Sequence, residues 1–125
     1  MDENALSHEI IGIAIEVHRN LGPGLLESVY EEGMAYEMSA RKMPFERQIP
    51  IPVRYKDVFL ECGFRMDLWV APLVVVEIKA VERMIPLYDA QLMTYLKLTG
   101  CKLGLLLNFN TVVLRDGIKR IVLGL

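Results

Sequence analysis

Cysteine is scarce in this chain, with two among 125 residues. Cys62 and Cys101 have no metal-ligand spacing, so neither a zinc site nor a disulfide framework is supported, and both are expected to be buried thiols. A surplus of positive charge is lacking too: 14 Lys and Arg stand against 16 Asp and Glu, for a net charge of −2. Holding nucleic acid on a broad basic surface needs many cations, because that attraction scales with the phosphates neutralised. Any such contact must therefore be local. The short basic runs at Arg41-Lys42, Arg47, Arg54-Lys56 and Lys119-Arg120 read as solvated faces. Apolar runs stop well short of the ~20 residues a membrane span needs, so no membrane partner is expected. Met1-Asp2-Glu3-Asn4 is acidic and polar where a secretory signal would be basic and then apolar, which predicts a reducing, cytoplasmic setting. Repeats, linkers and low-complexity stretches are missing as well. Residues 1–125 thus read as a single domain, large enough to bury a core unaided.

What the chain does have is periodicity. From Asn4 to about Asn20, Leu6, Ile10, Ile13, Ala14, Val17 and Leu21 recur with the spacing of an amphipathic helix. Gly22-Pro23-Gly24 stops it in a tight turn. A second helix is predicted from about Leu26 to Lys42, with Leu26, Val29, Gly33, Tyr36 and Ala40 on one stripe whose small residues admit a close neighbour. After Pro44 the pattern turns to β. Residues 48–55 alternate, and Pro50 and Pro52 confine this strand to an edge or to bulges. Strands over Val58 to Val70 and Val74 to Ala80 follow, joined through Ala71-Pro72-Leu73. A third helix spans about Pro86 to Thr99, with proline near its start and Gly100 past its end. The apolar run Leu103 to Phe109 reads as a central strand, and Thr111 to Leu125 as a hairpin turned at Asp116-Gly117. The apolar tail from Ile118 to Leu125 offers a surface for a homo-oligomer. The expected class is α/β, a mixed β-sheet flanked by helices.

Side chains two apart on a strand share a face, so Glu77 and Lys79 project together. A three-residue turn at 71–73 sets Asp67 opposite Glu77 and Arg65 opposite Lys79. The other face then pairs Leu68 with Val76, Met66 with Ile78 and Phe64 with Ala80. This register separates charged from apolar residues, and a slip by one would bury the charges. Opposed carboxylates about 5 Å apart at Cβ repel unless a cation lies between them, and a hard divalent ion such as Mg2+ or Mn2+ is the natural occupant. A cross-strand salt-bridge cluster of Asp67 and Glu77 with Arg65 and Lys79 accounts for the same spacing equally well.

Asp67 followed by Glu77-Ile78-Lys79 after a hairpin resembles the D…(D/E)-x-K signature of the PD-(D/E)XK nucleases. Their restriction-endonuclease-like core of helix, β-meander, helix and strand matches the element order read above. Gln91-Leu92-Met93-Thr94-Tyr95 is similar to the Q-x-x-x-Y motif of the RecB and lambda-exonuclease branch, whose two ends share one helical face. Gly24-Leu25-Leu26-Glu27-Ser28-Val29-Tyr30 matches the G-x-x-E-x-x-Y motif that names a family of small prokaryotic proteins in that superfamily. Met66 stands where the superfamily name has proline. The resemblance implies that Asp67, Glu77 and Glu27 hold the metal and that Lys79 positions or activates the attacking water. It also implies that Gln91 and Tyr95 orient the catalytic groups or touch the substrate, lining the same cavity as Glu27. The chemistry is coherent: a cation among carboxylates acidifies water and screens a phosphate, and a lysine stabilises developing negative charge.

Each motif residue also has a plainer role. Glu27 suits the positive end of its helix, Tyr30 and Tyr95 suit half-buried core positions, and His18 suits the last carbonyls of the first helix. Trp69 suits the end of the hairpin as well as it suits stacking on a base. Two functions are carried forward. One is a metal-dependent, exonuclease-like phosphodiesterase acting on DNA; the other is a binding or adaptor module that keeps the fold with little chemistry.

Overall fold

Asp2 starts the first helix by accepting the Ala5 N–H at 2.8 Å, one of the donors that a helix N-terminus leaves unpaired. The structure, a computed structural model, describes residues 1–125 apart from the side chain of Cys62. The expectation for that thiol lies outside the described residues. Helix α1 (Glu3–Leu21) ends where Gly22 takes φ 70°, and α2 (Glu27–Ala40) follows the turn. Strands β1 (Phe45–Tyr55), β2 (Val58–Val70) and β3 (Val74–Lys79) form a meander. Helix α3 (Pro86–Thr99) crosses to β4 (Leu103–Asn108), and a 3-10 turn (Leu114–Gly117) leads to β5 (Ile118–Val122).

The five strands lie in chain order, β1-β2-β3-β4-β5, with β3 and β4 parallel and the other pairs antiparallel. This is a mixed sheet flanked by helices, the restriction-endonuclease-like α/β arrangement. A parallel pair must be covered on both faces, and here it is. Val74, Val76 and Ile78 of β3 join Leu103, Leu105 and Leu107 of β4 in a core under α1 and α2. Val75 and Leu106 face the other way, into a smaller core with Leu92, Tyr95 and Leu96 of α3. Gly104 brings α3 close: a Cβ there would lie 2.7 Å from Leu92.

Several expectations need correction. The buried face of α2 carries Tyr30, Glu31, Met34, Ala35 and Met38, while Leu26, Val29 and Tyr36 are exposed. Methionines fill irregular gaps and so serve the core from a face with little periodic signal. Gly33 does admit a neighbour, since a Cβ there would meet Val17 of α1 at 2.9 Å. The tail is no hairpin of its own; β5 pairs with β4 instead. His18 Nε2 bonds the Thr111 carbonyl at 2.8 Å rather than a carbonyl of its own helix, tying α1 to the loop after β4. Strand β1 starts three residues early, lies at the sheet edge, and shifts register between Ile51 and Val53, as its prolines require. Trp69 Nε1 donates to the Pro72 carbonyl and contacts the buried Cys101 sulfur, which fixes the ring at the hairpin end. Among the described residues no helix is long and apolar enough to cross a membrane.

Gly117 closes the β4–β5 connection. A Cβ there would sit 2.1 Å from the Asn108 carbonyl oxygen, a backbone atom with little room to move. Gly117→Ala is expected to destabilise the fold by about 1–3 kcal/mol, the cost typical of overpacking. Urea unfolding followed by circular dichroism measures this, and an unchanged midpoint would contradict the close approach.

Candidate metal and nuclease site

The turn Gly22-Pro23-Gly24-Leu25 is fastened by Tyr30 one helical turn into α2. Its hydroxyl donates to the Gly22 carbonyl at 2.6 Å and accepts the Leu25 N–H at 3.1 Å, while its ring stacks on Phe109 at 4.5 Å. The buried tyrosine thus sets where α2 begins and where Glu27, in its first turn, points. Glu27 Oε2 accepts the Ala80 N–H at 3.2 Å, just past the end of β3. Asn108, at the end of β4, braces the same stretch by bonding both the N–H and the carbonyl of Val81.

Asp67 lies where two strands part. β2 and β3 pair in the expected register through Val70/Val74, Trp69/Val75 and Leu68/Val76, and the ladder stops there. The anticipated pairs Asp67/Glu77, Met66/Ile78, Arg65/Lys79 and Phe64/Ala80 do not form rungs. Instead Asp67 Oδ2 accepts the Ile78 N–H at 2.7 Å, and Oδ1 accepts from Gln48 Nε2 at 3.3 Å. Leu68 belongs to the core under α1 and α2, whereas Met66, two residues away, belongs to the core under α3. The alternation of faces is therefore broken at Asp67. Its hydrogen-bond partner on β1, Gln48, takes φ 50°, a left-handed conformation rare for a side-chain-bearing residue.

Glu77 projects from β3 to the side of α3, as Val75 does, and is 6% exposed. Its Oε1 is buried with no hydrogen-bond partner. Burial first, then a hydrogen bond with Asp67 and the Asp67 charge, push this carboxyl up to about 10, and Lys79 offsets only part of the rise. The Lys79 ammonium lies over the Tyr88 ring, 4.4 Å from its centroid. Tyr95 sits on the same side of the sheet, its hydroxyl donating to the Arg65 carbonyl at 3.3 Å. Burial and the neighbouring Glu77 charge push this phenol up to about 12.

Glu27 and Asp67 open onto a cavity of about 450 Å³ together with Ser28, Glu31, Gln48 and Ile78. Glu77 and Lys79 lie behind Asp67 on the α3 side. Gln91 and Tyr95 do not line the cavity; Tyr95 is packed in the α3 core beside Glu77, and Gln91 is half-buried one turn earlier. Sequence reasoning missed Glu31 and Gln48. Glu31 is buried, ion-paired to Arg47 at 2.9 Å, and accepts from Gln48 Nε2. A signal existed, because Glu27 and Glu31 are four apart and so share a helix face. Nothing local marks Gln48.

Among the described residues no three His, Cys, Asp or Glu side chains are grouped closely enough to hold an ion. Asp67 and Glu77 nonetheless fit one as a pair: both offer hard oxygen donors, and Glu77 Oε1 has no other partner. Soft-metal ligands are lacking at this position. A family model described as the PD-(D/E)XK nuclease superfamily matches residues 4–121. Neither a curated protein nor a solved structure matches the chain.

A carboxyl pushed up in the folded state holds its proton more tightly there than in the unfolded chain. Its contribution to stability is full below about 4.5 and is lost as pH rises toward about 10. In EDTA, the melting temperature should therefore fall as pH rises from about 5 to about 8, and Glu77→Gln should flatten that slope. Thermal unfolding across that range compares the two, and equal slopes would remove Glu77 as the source.

Proposed function

We propose, from the premise that the chain belongs to the PD-(D/E)XK nuclease superfamily, that it hydrolyses phosphodiester bonds of DNA in a Mg2+- or Mn2+-dependent reaction. The observation that carries this reading is the buried, unpartnered Glu77 oxygen beside Asp67, with Lys79 two residues on. Nucleases of this superfamily generally use divalent metal ions. A bound divalent cation supplies acidified water and screens the charge of the phosphate. Asp67 and Glu77 would hold it, and Glu27 faces from α2 the cavity onto which Asp67, but not Glu77, opens. Asp67 is already oriented by the Ile78 N–H and by Gln48, so little ordering remains to be done on binding. Lys79, on leaving the Tyr88 ring, stabilises negative charge developing on the phosphate.

The finer assignments rest on motifs. Gly24, Glu27 and Tyr30 support the GxxExxY family, because Tyr30 fastens the turn that sets the direction of Glu27. Gln91 and Tyr95 support the RecB and lambda-exonuclease branch, and with it action from a strand end. In this reading Tyr95 acts on Glu77 from behind and does not touch the substrate. Residues 1–125 form one catalytic domain working in the cytoplasm. The second reading, an adaptor with little chemistry, is favoured by one observation: the acids are not gathered into a three-ligand cluster.

Cleavage of labelled single- and double-stranded DNA and RNA with Mg2+ and Mn2+ separates the two readings. Asp67→Asn keeps the shape of the side chain and removes its charge, so turnover should drop at least about a hundredfold. Wild type should also gain about 2.7 kcal/mol of stability at a hundredfold excess of Mn2+ over its Kd, and the variant almost none. Equal Mn2+ heats from both proteins in titration calorimetry would sink the metal site.

A further inference from the structure

The two long strands change sides together. Along β1, Arg47 reaches α2, where it meets Glu31 at 2.9 Å, yet Ile49, two residues on, packs in the α3 core. Side chains two apart on a regular strand share a face, so β1 turns over between them. Along β2 the same happens between Leu68, under α1 and α2, and Met66, under α3. These residues are cross-strand partners, Arg47 with Leu68 and Ile49 with Met66, and among the described residues Gln48 and Asp67 between them form no rung. The left-handed backbone of Gln48, φ 50°, marks where β1 turns. One residue outside the extended region thus keeps β1 in register with a β2 that switches faces at Asp67.

With that rung absent, side chains make the connection. Carboxylates only accept, so the Gln48 amide must present its nitrogen to them, and Nε2 has two protons to give. One goes to Glu31 and the other to Asp67 Oδ1 at 3.3 Å. Glu31 is buried and fixed by Arg47, which makes it the anchored end. Asp67, half-buried on the cavity wall, is the end that is held. Its other oxygen, Oδ2, accepts the Ile78 N–H. Bonds on both oxygens fix the rotation of the carboxylate as well as its place, whereas one alone would leave it free to turn. We propose that Gln48 is a positioning residue for the metal and nuclease site: Glu31 clamps its amide, the amide aims the Asp67 carboxylate, and the left-handed backbone puts the amide within reach of both. This rests on the nuclease reading for what Asp67 is aimed at, while the aiming itself is measurable without metal.

The test uses the full chain and two substitutions that remove the clamp in different ways. Gln48→Asn keeps the amide on a residue that accepts a left-handed backbone more readily, but is one methylene too short to span both acids. Gln48→Met keeps the length and loses the donor. In EDTA, the Ile78 amide of each variant should exchange its hydrogen about tenfold faster than in wild type by NMR, the weight of one hydrogen bond to a charged group. The amides of Ala80 and Val81, held by Glu27 and Asn108, should not change. Mn2+ should bind each variant about tenfold more weakly in titration calorimetry, as when a group that orients a metal ligand is removed. An unchanged Ile78 amide in both variants overturns the proposal, as does equal Mn2+ affinity where wild type binds the ion. Faster exchange at all three amides with a lower melting temperature would make Gln48 a general prop of the fold and overturn it too. Should wild type neither bind Mn2+ nor cleave nucleic acid while Ile78 alone responds, the nuclease reading fails and the aiming of Asp67 by Gln48 stands.

Discussion

The Asp67 carboxylate stands in for a missing rung of the sheet. Where the β2–β3 ladder ends at Leu68/Val76, the Ile78 N–H would be left without a strand partner, and Asp67 Oδ2 takes it at 2.7 Å. A buried donor left bare costs about 1–3 kcal/mol, so the carboxylate holds the parted strands at low energetic cost. The rest of the site depends on that parting. It lets Met66 turn to the α3 core, opens the cavity under α2, and leaves β1 and β2 to run on together beyond β3. One side chain thus serves as a structural brace and faces the site at once.

Gln48 is the counterpart on β1. A left-handed conformation in a residue other than glycine costs about 1–3 kcal/mol and persists where surrounding contacts enforce it. Here the contacts are on both sides, since Nε2 donates to Asp67 and to Glu31, and Glu31 is held by Arg47. The chain from Arg47 through Glu31 and Gln48 to Asp67 links α2 to the sheet edge beside the cavity. Strain concentrated at this point is consistent with a position selected for geometry rather than for stability.

Much of this was legible in the sequence because it rests on local rules. The caps of α3, the prolines of β1 and the hairpin at 71–73 all follow from backbone preferences of single residues, and the hairpin fixes the register of β2 with β3 as far as Leu68/Val76. What was not legible depends on pairs distant in sequence. The buried face of α2 is chosen by the sheet it meets, and its methionines and Glu31 give a weak periodic signal. The break in alternation at Asp67 requires knowing that β3 is short relative to β2. The tail finds β4 rather than itself because β4 would otherwise be an open edge. The separation of Tyr95 from the cavity follows from that same geometry, since α3 covers the face onto which Glu77, and not Asp67, is turned.

The distribution of charge completes the picture. Four carboxylates crowd this end of the sheet, and burial makes Glu31 and Glu77 costly unless a donor meets them. Glu27 has the Ala80 N–H, Glu31 has Arg47 and Gln48, and Asp67 has the Ile78 N–H and Gln48. Glu77 Oε1 has no such partner, and Lys79 is drawn toward the Tyr88 ring. The imbalance is therefore gathered at one residue instead of being spread over four. A proton relieves it below about pH 10, and a cation shared with Asp67 relieves it without one. That competition makes Glu77 the point at which pH and metal act on the same site, while the other three acids hold the frame around it.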